Sequence, residues 1–392
     1  MPNVSYPKNR WAWVEVDLNA IRKNTRAFKA LLEPRTQMMC AVKADAYGHG
    51  AVECAKAMAS SGASQFAVAT VDEGVELRRG GVAQPILMLN ECPLEGIDDL
   101  LAFDVMPSVY TSGFALAYGE RAVSLGKVGR YHLAIDTGMS RIGVLPEDVV
   151  EFRRMIDFHR GLECAGSFTH FATADAIGDW DFRQQSLRFS DAVSALEGAG
   201  LEVGLVHCDN TPGTVLHPEN HFDMCRVGIG LYGLQPSETT APRIALEPAM
   251  SVRARVTRVV NPAVGEGVGY GFTYRVPKPN IQIATVPVGY ADGLSRSLSN
   301  NMDVLVRGMR ARQVGRICMD QFMFAVDVND IRAYHPATAV ERGDVVTLIG
   351  RDGDDEISAD EMADRRDTIN YEVVTRLGDH IPRIHIRAGR SQ

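Results

Sequence analysis

No stretch of this 392-residue chain approaches about eighteen uninterrupted apolar residues, so nothing in it reads as a membrane-spanning helix. The opening Met1-Pro2-Asn3-Val4-Ser5-Tyr6-Pro7-Lys8 has no apolar core behind a basic segment, and no signal peptide is expected. There is no basic block, and the net charge is −8, which argues against a nucleic-acid groove. Low-complexity linkers are missing, as are the internal repeats that build solenoids. The seven cysteines (Cys40, Cys54, Cys92, Cys164, Cys208, Cys225 and Cys318) are an odd number without metal-type spacing. Several lie in apolar runs and read as reduced, buried thiols of a cytoplasmic protein, with no disulfide and no metal expected.

What is present is ordinary globular material, 45% apolar and 23% charged, long enough for two or three domains. From 12 to 245, short apolar runs alternate with helical patterns. Val14, Val16 and Leu18 alternate with Glu15 and Asp17, a half-buried strand leading into a helix. Further strands are expected at 38–43, 65–70, 86–90, 105–110, 131–136, 165–171 and 205–208. Asp72 is expected to cap a helix ending at Gly80-Gly81, and a helix over 182–196 ends at Gly198 and Gly200. About eight strand–helix alternations over roughly 230 residues fit a (β/α)8 barrel better than an open sheet. From 246 to 392, strictly alternating or β-rich runs separated by glycine-rich turns predict a mostly β domain, with residues 1–11 associated.

The most informative stretch is Cys40-Ala41-Val42-Lys43-Ala44-Asp45-Ala46-Tyr47-Gly48-His49-Gly50. Barrel enzymes place their chemistry at the C-terminal ends of strands, where Lys43 falls. A desolvated lysine has a lowered pKa and condenses readily with an aldehyde. Long lysine stems also lie along apolar surfaces without any catalytic role. Gly228-x-Gly230-x-x-Gly233 fits a dinucleotide fingerprint, but Pro236 stops the helix that such a loop must open.

The block around Lys43 resembles the cofactor-attachment signature of the alanine racemases, which depend on pyridoxal 5'-phosphate. Further blocks resemble the same family in the same order: Asp136-Thr137-Gly138-Met139-Ser140-Arg141, Thr169-His170-Phe171-Ala172, Arg226-Val227-Gly228-Ile229-Gly230, Gly269-Tyr270-Gly271, Gly289-Tyr290-Ala291-Asp292-Gly293, Cys318-Met319-Asp320 and Asn370-Tyr371-Glu372. The resemblance implies that Lys43 carries the cofactor and that Tyr47, Thr211, Gly228, Ile229 and Tyr371 surround its phosphate. It also implies that His170 stacks on the ring, and that Arg226, hydrogen-bonded by His207, faces the pyridine nitrogen. An arginine there cannot lend a proton, so the ring is a weaker electron sink. Decarboxylases on this barrel usually present an acid instead.

Inversion of an α-carbon needs a base on each face. The resemblance assigns these roles to Lys43 and to Tyr270 delivered from the other subunit of a homodimer, with Arg141 and Met319 binding substrate. The implied activity is interconversion of L- and D-alanine, which supplies D-alanine for peptidoglycan. A racemase of wider range that includes serine is the alternative, followed by a non-catalytic carrier of the cofactor and, last, a dehydrogenase.

Two departures stand out. Many members of the family carry a carbamylated lysine where this chain has Ala134, which leaves Arg141 without that anion; a chloride, or failing that an ordered water or a side-chain carboxylate, is expected within hydrogen-bond reach of Arg141. Asp209-Asn210-Thr211-Pro212-Gly213 also differs from the common Ala-Asn-Ser-Ala pattern.

Overall fold

The computed structural model describes residues 8–329 and 339–386. The chain forms two compact units, one of residues 20–248 and the other of residues 1–19 with 249–392. The first strand, β1 (Ala12–Asp17), belongs to the second unit.

The unit spanning 20–248 is the barrel. Its strands are β2 (Gln37–Ala41), β3 (Gln65–Val68), β4 (Ile86–Met88), β5 (Val105–Val109), β6 (Gly129–Ala134), β7 (Leu162–Phe168), β8 (Leu205–His207) and β9 (Met224–Val227). All the pairings are parallel, in the order β8-β7-β6-β5-β4-β3-β2-β9. The connecting helices include Ala51–Ala59, Val71–Arg79, Ser112–Ser124 and Trp180–Gly198. Parallel strands covered on both faces need no polar alternation. Accordingly Phe66, Ala67 and Val68 of β3 and Ile86, Leu87 and Met88 of β4 are all buried. Among the described residues no ladder joins β8 to β9. That seam is bridged instead by isolated bonds: Asp223 N–H to Val206 O (3.1 Å), Val206 N–H to Asp223 Oδ2 (2.8 Å) and Arg226 N–H to Asp209 O (2.9 Å).

The second unit is strand-rich. Its strands are β10 (Met250–Arg255), β11 (Arg258–Val260), β12 (Gly267–Val268), β13 (Tyr274–Arg275), β14 (Ile281–Val286), β15 (Asp303–Val306), β16 (Met309–Val314), β17 (Phe322–Asp327), β18 (Val345–Asp352), β19 (Asp355–Ile357) and β20 (Arg383–Ile386). The main sheet runs β11-β14-β17-β16-β15-β18-β10-β1-β20, while β12 and β13 pair separately. A short helix, Ala359–Asp364, is capped by Ser358. Residues 1–7, expected to accompany this unit, lie outside the described residues. Just beyond them, Arg255 N–H donates to Trp11 O at 2.8 Å.

The position of β1 corrects the expected boundary at residue 12. This strand pairs antiparallel with β10 and parallel with β20 rather than with any barrel strand. Its alternation was the signal: a strand with one wet face suits this sheet, whereas the barrel's β3, β4 and β5 are buried at every position. Glu15, on the polar side, accepts from Trp13 Nε1 at 2.9 Å and pairs with Arg253 at 2.9 Å. The barrel instead counts Met224–Val227, which is not among the expected strands, as its eighth strand. Among the described residues no helix is long and apolar enough to cross a membrane. None of the seven cysteines is in a disulfide.

Opposite responses are expected at two glycines. Gly233 has φ +84, and a Cβ there would stand 1.8 Å from Glu247 O, so Gly233→Ala should cost about 1–3 kcal/mol or more. Gly113 lies on the Ser112–Ser124 helix with nothing within 4 Å of an added Cβ. Gly113→Ala should therefore stabilise by about 0.5–1 kcal/mol. Urea denaturation of both variants checks the pair.

Candidate active site

Beyond β2 the backbone does something unusual. Ala44, Asp45, Ala46 and Tyr47 all take left-handed conformations, with φ between 51 and 53. Each such residue costs about 1–2 kcal/mol, so the turn persists only where surrounding bonds over-determine it. Ala44 N–H donates to Glu73 Oε1 at 2.6 Å, Ala51 N–H to Asp45 Oδ1 at 2.7 Å, and Ala46 N–H to Val42 O at 2.9 Å. Lys43 sits at the mouth of this turn. Burial lowers its pKa from the ordinary lysine value and the nearby Arg141 charge lowers it further, against an opposing pull from Glu73.

Glu73 is a site residue that the sequence reading missed. Thr70, not Asp72, caps the Val71–Arg79 helix, and Glu73 closes a capping box with it. The Thr-x-x-Glu spacing carried that signal. The same carboxylate accepts from Ala69 N–H at 2.6 Å, so one side chain ties the end of β3 to the Lys43 turn.

Tyr47 is buried against Tyr232, ring centroids 5.0 Å apart, and Tyr232 donates its hydroxyl to Ala41 O at 2.8 Å. A Cβ on Gly228 would stand 2.8 Å from the Tyr47 hydroxyl and 3.7 Å from Thr211 Oγ1. Glycine therefore keeps open a small concavity lined by two hydroxyls. The Gly228 N–H donates to Thr211 Oγ1 at 2.8 Å, which leaves the Thr211 proton free to be donated. Ile229 begins the short turn Ile229–Tyr232, which ends at left-handed Gly233. A strand precedes the glycine motif, but it holds only the four-residue 3-10 turn Ile229–Tyr232 and no α-helix opens from it among the described residues, so the dinucleotide fingerprint lacks its context.

Arg226, on β9, is buried. Its terminal nitrogens donate to His207 Nδ1 (2.7 Å), His207 O (3.1 Å), Thr169 O (2.6 Å), Cys208 O (3.0 Å) and His170 Nδ1 (3.3 Å). Because arginine only donates, the acceptor nitrogen of His207 must be Nδ1, and its Nε2 carries the proton. That proton goes to His132 Nδ1 at 2.8 Å, giving a chain His132–His207–Arg226 that links β6, β8 and β9. Burial, then the Arg226 charge, pushes His132 down to about 3 and holds His170 and His207 far below the usual histidine range.

Arg141 lies on a loop whose base is fixed by Asp136 N–H to Val144 O (2.9 Å) and Val144 N–H to Ala134 O (2.9 Å). Its side chain is exposed and makes no hydrogen bond among the described residues. The barrel unit thus brings together Lys43, Tyr47, Arg141, His170, Thr211, Arg226, Gly228 and Ile229. Tyr270, Met319 and Tyr371 belong to the strand-rich unit. Tyr270 stands on a turn beside β12, 71% exposed, and Met319 is also exposed. Tyr371 is half-buried on the Asn370–Thr375 helix.

Comparison with known proteins identifies this arrangement. The chain matches the family profile "Alanine racemase, N-terminal domain" over residues 16–236 and "Alanine racemase, C-terminal domain" over 249–385. These matches define an amino-acid racemase, an isomerase. The chain belongs to the alanine racemase family. It is 41% identical over 378 residues to alanine racemase from Carboxydothermus hydrogenoformans, covering 96% of this chain and 100% of that one. It is 40% identical to alanine racemase from Methanococcus maripaludis, covering 98% of this chain and 100% of that one. The solved alanine racemase of Clostridium difficile 630 superposes with a TM-score of 0.91 at 35% identity, covering 97% of both chains. That of Bacillus anthracis, with bound L-Ala-P, gives 0.89 at 38% identity, covering 98% of this chain and 97% of that one.

The arginine-anchored chain should be visible by NMR. His132 and His207 are expected to stay neutral at pH 5, where an unperturbed histidine is mostly protonated, and His207 should be the Nε2–H tautomer. Imidazole 15N shifts across a titration check both points. Because these folded-state pKa values are depressed, their contribution to stability falls as pH drops below about 6.5.

Proposed function

We propose that this chain interconverts L- and D-alanine with pyridoxal 5'-phosphate as cofactor, as a homodimer in which each subunit completes the other's site. The observation that carries the reading is Lys43, desolvated at a barrel strand end beside a hydroxyl-lined concavity that only glycine leaves open. Those residues fit the cofactor: Lys43 would carry it, and Tyr47, Thr211, Gly228 and Ile229, with Tyr371, would hold the phosphate. His170 would lie on the ring and Arg226 against its nitrogen. When bound, the cofactor supplies an aldehyde that captures the substrate amine and a ring that delocalises the charge left on the α-carbon.

The rest falls to the chain's own groups. Lys43 Nζ, its proton already loosened by burial and by Arg141, takes or returns the α-proton on one face. Tyr270 of the partner subunit serves the opposite face; its exposure in the single chain suits a residue that works in another copy. Arg226 has no proton to give, and the neutral histidines behind it have none to pass forward. Arg141 and Met319 orient the substrate. The reduced thiols suit a cytoplasmic enzyme feeding D-alanine to peptidoglycan.

Lys43→Ala should abolish racemisation together with the visible absorbance of the lysine–cofactor adduct. Tyr270→Phe should keep that absorbance and lose about 10²–10⁴-fold in rate in both directions. Wild-type exchange of the α-hydrogen of both enantiomers with deuterated solvent in the Tyr270 variant would remove Tyr270 as the second base. Turnover of serine comparable to alanine would favour the wider-range alternative.

Ala134 is small and buried, and Arg141 is exposed in the single chain, so its need for an anion arises on assembly. A chloride beside Arg141 is then the expected substitute for a carbamate. Bromide in its place should give an anomalous-scattering peak there, and an empty map with halide-independent activity would dismiss the chloride.

A further inference from the structure

Asp209 is fully buried just past β8, and both of its carboxylate oxygens lack a hydrogen-bond partner among the described residues. It stands where the sequence departs from the family pattern. An isolated buried carboxylate is among the costliest groups a protein can hold, and it persists as an anion only beside a compensating cation. Arg226 is the nearest positive influence, but its terminal N–H groups are taken by His207, Thr169, Cys208 and His170. The neighbouring Glu219 adds repulsion.

Two metal-ligating side chains accompany it. The carboxylate oxygen of Asp209, a ring nitrogen of His221 and the Cys225 Sγ all lie within 4.8 Å of one another, and all three residues are buried. His221 is already oriented: its Nε2 meets Thr214 O at 2.9 Å, so Nε2 carries the proton and Nδ1 keeps its lone pair. That carbonyl support behind the ring is what metal-bound histidines ordinarily have. Cys225 lies on β9 one residue before Arg226, and therefore on the opposite face of the strand.

We infer that Asp209, His221 and Cys225 bind a divalent, borderline-soft cation of the zinc class. One carboxylate, one imidazole and one thiolate form a donor set suited to that ion. On binding, the Cys225 thiol and the Asp209 carboxyl both release their protons to solvent, and the resulting thiolate and carboxylate neutralise the ion's two charges. The site has a mechanical role. Asp209 extends β8 and Cys225 is part of β9, the two strands that no ladder joins, so the ion ties the open seam of the barrel. It lies behind Arg226 rather than on the reacting groups. A Cβ on Gly213 would stand 2.5 Å from Asp209 Oδ1, so the glycine there makes room for the carboxylate.

The test is metal analysis of the purified holoenzyme after dialysis with zinc, alongside cobalt(II) substitution. About one zinc per chain is expected, with a thiolate-to-cobalt charge-transfer band in the near ultraviolet and a lower Tm after chelation. Cys225→Ser and Asp209→Asn should each lower metal affinity by at least about tenfold. The Asp209 variant separates the alternatives by sign. If an ion is bound, Asp209→Asn lowers Tm; if the carboxylate is merely buried and protonated, the near-isosteric amide leaves Tm unchanged or raises it. Substoichiometric zinc without a cobalt band, or metal retained by both variants, overturns the assignment. Should a variant fail to fold, the wild-type cobalt spectrum decides on its own.

Discussion

A permanently charged guanidinium in a dry barrel can exist only if its N–H groups find acceptors, and this requirement at Arg226 organises the strand ends around it. Backbone carbonyls of Thr169, His207 and Cys208 must point at one place, which fixes how β7, β8 and β9 end. The histidines must then be neutral, since a second cation beside a buried one is prohibitive. The tautomer of His207 follows, and with it the direction of the bond to His132. A single charge thus sets proton positions two residues away.

At the end of β2 stands Lys43, whose ammonium is weakened by a similar lack of water. The left-handed turn beside it is strained; Glu73 holds it by accepting the Ala44 amide proton, and the turn's own Asp45 accepts from Ala51 N–H of the next helix. The rigid half of the site is therefore a set of positive groups and amide-fixed backbone. The concavity at Gly228 adds neutral hydroxyl donors. Such a combination is suited to a ligand that is anionic at one end and carries a carbonyl at the other.

Much of this was legible in the chain itself. Strands buried on both faces announce themselves as apolar runs, so the barrel could be read from β2 to β8. The short Met224–Val227 could not, because Arg226 interrupts its apolar pattern for a reason that only the assembled barrel reveals. Colinear blocks around Lys43, Arg141, Arg226 and Tyr270 carried the family resemblance through short, chemically constrained segments. The chain Arg226–His207–His132 was half visible: one link was read from the resemblance, while the second depends on strands far apart in sequence. Asp209, His221 and Cys225 offered no paired-cysteine spacing, since their proximity is created where the barrel closes.

The placement of β1 imposes an order on how the polypeptide is made. The strand is synthesised before the barrel, yet its neighbours β10 and β20 are synthesised only after it. At ~5–20 residues per second, an alternating apolar edge waits tens of seconds for its partners. Throughout that interval the barrel can fold as a unit, while the strand-rich unit cannot complete its sheet until β20 has been made. Newly made chains therefore carry a finished barrel and an open sheet edge together, and that edge is what chaperones or a neighbouring nascent chain would meet first.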